Sequence, residues 1–75
     1  MNTLPEKTIS SCTDADRLDW IEQQHTLHKT VEFTYMVMGY EVQLMYDGNE
    51  VGKPFEGKTL RDAIDLAMKY EGYLV

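Results

Sequence analysis

The chain is short of basic residues, of cysteine and of proline. Seven Lys and Arg stand against thirteen Asp and Glu, for a net charge of −6 at neutral pH. A deficit of that sign repels phosphate, so groove-reading of DNA or RNA is not expected. The lone cysteine, Cys12, cannot close an internal disulfide, which points to a reducing, cytoplasmic setting. No apolar run approaches the roughly 18 residues of a membrane span, and residues 1–10 lack the apolar stretch of a signal peptide. Repeats, low-complexity stretches and internal linkers are also missing. What is present is ordinary: 43% hydrophobic and 27% charged residues, a globular balance. Seventy-five residues allow one small domain, in which folding hides only about 60% of the unfolded surface.

Organisation follows from changes of period. Residues 1–12 carry Pro5 and little periodicity, and read as a flexible arm before a single domain over 13–75. Thr13-Asp14-Ala15-Asp16 offers a hydroxyl cap with a carboxylate three residues on, the start of a helix near 14–27. At 100° per residue Ala15, Leu18 and Ile21 form its core stripe, while Trp20 and Leu27 fall on the other side. From Val31 the period becomes two, which predicts strands near 31–37, 40–46 and 50–54. A Met38-Gly39 loop, or a longer one around Gly39, sets Val37, Tyr35 and Phe33 opposite Tyr40, Val42 and Leu44. Asp47-Gly48 is the stronger turn signal and sets Leu44 opposite Val51. Gly52 and Pro54 suit an edge strand. Thr59 caps a second helix over 59–71, with Leu60, Ala63, Ile64 and Ala67 inward and Arg61, Asp62, Asp65 and Lys69 outward. Gly72 is placed to end it, with Tyr73 folding back on Met68. The expected fold is α+β: α-β-β-β-α, a three-stranded antiparallel meander packed with two helices.

Chemistry-bearing constellations are sparse. His25 and His28, three apart, could share a helix face, but no thiolates at zinc-finger spacing accompany them, so no metal and no cofactor is expected. Cys12 with either histidine would need a base held about 3 Å away, which a loose arm cannot provide. Asp62 and Asp65 read as a solvated helix face, and the glycines are too dispersed to cradle a phosphate. Catalytic residues are therefore not expected. Surface remains. Met36 and Met45 fall on the outward side of the sheet, with Met38 nearby, and methionine is adaptable at binding surfaces. Trp20 and Leu27 complete the candidate protein interface. The unprotected sheet face and edges also suggest a homodimer.

Two local patterns resemble known groups. Gly39-Tyr40-Glu41-Val42, followed by Gly57-Lys58-Thr59-Leu60-Arg61-Asp62-Ala63-Ile64 and Ala67, resembles HicB-type antitoxin domains, where a Gly-Tyr-x-Val strand precedes a Gly-x-Thr-Leu-x-x-Ala helix start. That resemblance implies toxin neutralisation. Thr13–Glu22 looks like the opening helix of small uncharacterised proteins of phages and prophages, a group that includes inhibitors such as anti-CRISPR proteins. The expectation is a non-enzymatic accessory module that binds a protein partner, with no direct nucleic-acid or membrane binding. An acidic DNA mimic and an antitoxin-like domain are the alternatives.

Overall fold

The computed structural model describes residues 11–74. They form α1 (Asp14–Thr26), β1 (Lys29–Met36), β2 (Gly39–Tyr46), β3 (Asn49–Gly57) and α2 (Leu60–Tyr70). The strands make one antiparallel sheet in the order β1-β2-β3, so the expected α-β-β-β-α meander is the fold. Val42 and Leu44 of β2 are fully buried with Trp20 of α1 and with Ala63, Ile64, Ala67 and Met68 of α2, which puts both helices on one face. Most of the arm expected over 1–12 lies outside the described residues. Of its last two positions, Cys12 is half-buried against the core.

The helix ends follow their sequence signals. Asp16 N–H donates to Thr13 Oγ1 at 3.1 Å, and Thr13 N–H donates to the Asp16 carboxylate at 2.9 Å. Two donors that the first turn leaves unpaired are thus satisfied reciprocally. Thr59 Oγ1 accepts from Asp62 N–H at 3.0 Å in α2. At the far end of α2 Gly72 adopts φ +88, Gly72 N–H donates to Lys69 O, and Tyr73 N–H donates to Met68 O at 2.8 Å. This left-handed stop reverses the chain. It returns Leu74 to the core and sets the Tyr73 ring edge-on to Trp20 at 6.4 Å.

Asp47 and Gly48, at φ +53 and +83, close the β2–β3 hairpin, and Leu44 faces Val51 as expected. The β1–β2 register differs. Its loop is Val37-Met38, so Tyr35 faces Tyr40, Phe33 faces Val42 and Val31 faces Leu44, each two residues from the expected pairing. Gly39 explains the change. It belongs to β2, where a Cβ would sit 2.3 Å from the Gly57 carbonyl oxygen, so it cannot be spent on the loop. A Cβ on Gly57 would in turn lie 2.5 Å from Ala63 N. β2, β3 and the first turn of α2 therefore stack backbone on backbone, which accounts physically for the paired Gly-Tyr and Gly-Lys-Thr-Leu patterns.

The third strand runs to Gly57, three residues past its expected end. β3 is an edge strand, as Gly52 and Pro54 suggested; Gly52, at φ +69, and Pro54 lie in a bulge opposite Gln43. Gln43 Nε2 reaches the carbonyls of Leu44, Val51 and Gly52 at 2.9, 3.2 and 3.3 Å, supplying donors where the ladder has none. The resumed strand places Phe55 opposite Val42, with its ring 5.3 Å from Tyr70.

α2 buries Ala63, Ile64 and Ala67 of the expected stripe and leaves its first member, Leu60, 37% exposed at the helix start, whereas α1 is turned relative to expectation. Its buried residues are Trp20 and Gln24, whereas Leu18 is 63% exposed and Ala15 is exposed. Trp20 carries the largest apolar payload of the helix and takes the core. Asp65, expected on the outward face, is instead 4% exposed and pairs with Arg17 of α1. Arg17 Nε and Nη2 donate to the two Asp65 oxygens at 2.7 and 2.9 Å. Asp14 then accepts from Arg17 Nη1 at 2.7 Å and from Arg61 Nε and Nη2 at 2.8 Å each. The chain Asp65–Arg17–Asp14–Arg61 fixes the rotation of α1 against α2.

Candidate protein interface

At about 3.3 Å per strand residue and 1.5 Å per helix residue, β1 spans ~26 Å and α1 only ~20 Å. α1 cannot cover the whole strand. Tyr35, Val37 and Met38 at the β1–β2 hairpin are 76, 96 and 86% exposed, and the Tyr35 ring lies 5.3 Å from the Tyr40 ring. Contiguous apolar surface of this kind on a small protein marks an interaction site more often than chance.

The sheet face opposite the helices carries a different chemistry. Alternation places Met36, Met45, Glu32, Glu41, Glu50 and Glu56 on it, with Glu41 directly opposite Glu56. Like charges so placed repel, so the arrangement does not stabilise the fold. The acids are dispersed in sequence yet four gather on one face. Met36 and Met45 share that face and are half-buried, as the period-two reading required. They do not touch: Met36 pairs with Gly39 and Met45 with Thr30, about 20 Å apart along the sheet. Met36 instead joins Val37 and Met38 at the hairpin end.

Two expected interface residues lie elsewhere. Trp20, at 2% exposure, is core and offers no surface. Leu27 caps α1 and is 47% exposed, beside the Lys29 end of β1 and so remote from the hairpin tip. Tyr35 and Val37, which periodicity assigned to the core, are the residues that sequence reasoning missed. The usable signal was the greater reach of an eight-residue strand than of a thirteen-residue helix. An open groove between α1 and α2 has Leu18, Ile21, Leu60 and Ile64 as its apolar wall. Its charged rim, Asp14, Arg17 and Arg61, is paired within itself.

The two histidines and Cys12 are placed separately. The helix ends at Thr26, and His28 turns off it at φ +63, so His25 and His28 do not share a helical face. No three His, Cys, Asp or Glu side chains among the described residues are grouped to hold a metal. Burial, and then the nearby Asp65 carboxylate, push the Cys12 thiol up, away from the nucleophilic thiolate. Among the described residues no helix is long and apolar enough to cross a membrane. Comparison with protein families, curated proteins and solved structures returns no match, so the chain's own residues carry the functional argument.

Proposed function

We propose that the protein is a non-enzymatic binding module whose partner is another protein, in the manner of a phage-type accessory inhibitor. One observation carries the reading: Tyr35, Val37 and Met38 stand exposed at a hairpin tip adjoining the sheet face opposite α1 and α2. Mobile methionine and rigid tyrosine together make an adaptable anchor for a complementary pocket. A second reading, mimicry of nucleic acid, has its own support in Glu32, Glu41, Glu50 and Glu56 on that face. It narrows the partner to a protein with a basic channel.

Both readings are tested by capture from bacterial and phage-infected lysates on immobilised wild type, Met38→Glu and Glu41→Gln/Glu56→Gln. A specific protein retained by wild type and lost by Met38→Glu supports the binding module. Release of that protein by competing DNA, and its loss with the glutamine pair, selects mimicry. Equal retention by all three variants, or none by wild type, removes the proposal.

A further inference from the structure

We infer that β1 is a docking edge, to which an extended partner segment alternating apolar and basic side chains adds as a fourth strand. The inference rests on the protein-binding reading and names the form of the partner. The two edges of the sheet are treated differently. β3 is interrupted by the Gly52–Pro54 bulge and its register shift, devices that discourage further pairing. β1 pairs with β2 over all eight residues without a shift and contains neither Gly nor Pro. Among the described residues it is the regular edge, on which outward backbone N–H and C=O groups remain to be matched.

The side chains of β1 specify the newcomer. On the helix side Val31 is half-buried, Phe33 is 45% exposed and Tyr35 is 76% exposed. They are spaced by two, so an added strand presents its own apolar residues to them at the same period. On the other side the charged residue is Glu32, between Thr30 and Thr34 and one strand from Glu41. The basic residue of β1, Lys29, is engaged by Glu71 at 3.7 Å. Asp19 is exposed on α1, the helix that packs on β1. The surroundings are negative on both faces, and a basic strand is the complementary occupant. A second copy could set Phe33 opposite Phe33, but it brings another Glu32 and a further charge of −6 to the junction.

The test uses labelled peptides of about ten residues, one alternating Val with Lys and one alternating Val with Glu. Fluorescence anisotropy measures affinity for the full chain, and amide hydrogen exchange locates the contact. The Val-Lys peptide should bind saturably and protect β1 amides over β3 amides. The Val-Glu peptide should bind at least about tenfold more weakly, and Tyr35→Lys and Glu32→Lys should each weaken the Val-Lys peptide comparably. Both substitutions are at exposed positions, so the fold, checked by circular dichroism, should persist. Absence of binding, or binding without β1 protection, overturns the inference. So does sedimentation at twice the monomer mass that Tyr35→Lys abolishes, because a second copy then owns the edge. A lysate partner lost with Met38→Glu but kept by Tyr35→Lys and Glu32→Lys removes strand addition while leaving the binding module standing.

Discussion

Replacing Asp65 by Ala should remove a large share of the protein's stability. The carboxylate is 4% exposed and accepts both donors of the Arg17 fork, at 2.7 and 2.9 Å. Its loss leaves a guanidinium whose side chain is only 12% exposed facing an apolar gap. Removing one member of a buried ion pair typically costs about 3–5 kcal/mol, because the remaining charge is neither solvated nor paired. Arg17 retains Asp14, a partner whose side chain is 57% exposed, so the lower end, ~3 kcal/mol, is expected. A domain of this length has about 4–11 kcal/mol in all. Urea titration followed by circular dichroism should show the midpoint falling sharply at an unchanged slope. Thermal unfolding should drop by about 12–24 °C, at roughly 4–8 °C per kcal/mol for so small a chain. The double replacement Arg17→Met/Asp65→Leu should recover most of the loss, since apolar packing can substitute for a buried pair. A loss below ~1 kcal/mol for Asp65→Ala, the size of an ordinary surface change, would refute the reasoning.

Gln24→Met should raise stability by about 1–2 kcal/mol, because Gln24 Oε1 is buried without a partner and Nε2 makes only a 3.4 Å contact to Trp20 O; a lowered urea midpoint would count against this. Gly57→Ala should destabilise by about 1–3 kcal/mol, since the new methyl would sit 2.5 Å from Ala63 N, and an unchanged melting temperature would contradict the stacked backbones. The Arg61 and Arg17 guanidiniums hold the Asp14 carboxyl down at about 2, from an ordinary 3.8. The folded state binds this proton less tightly than the unfolded chain, so the contribution is whole above about pH 4 and is lost as pH falls towards about 2. Urea midpoints measured across that window should decline, and Asp14→Asn should flatten that part of the decline.

Signals that act within a few residues were legible in the sequence. Thr13 with Asp16, Thr59, Gly72 and Asp47-Gly48 each carry their local geometry, and each stands where it was expected. The alternation of β2 likewise sorted Val42 and Leu44 from Met45. What failed to show were choices between distant groups. α1 has apolar residues on two sides, and its rotation is settled by the Trp20 indole and by a carboxylate 48 positions away from Arg17. The β1–β2 loop depended on Gly39 touching Gly57, which no local preference reveals. Asp65 looked solvated because helical spacing counts one neighbour, the sheet, whereas α2 packs on α1 as well. Of the interface candidates, Met36 and Met38 occupy the hairpin tip and Trp20 does not reach the surface. Tyr35 and Val37 were hidden by an alternation that tells which face a residue takes, but not where the covering helix stops.

The 48-residue span between Arg17 and Asp65 also orders events in time. Both hairpins close across two-residue loops, an event of microseconds, and α2 follows β3 directly. Bringing α1 back to α2 means closing the longest loop in the molecule, at the greatest entropic cost. The meander with α2 is therefore the expected folding nucleus, and α1 docks after the rate-limiting barrier. Stopped-flow measurements on Asp65→Ala should find refolding nearly as fast as in the parent protein and unfolding accelerated by most of the lost free energy. The ion pair acts as a latch on the lifetime of the native state.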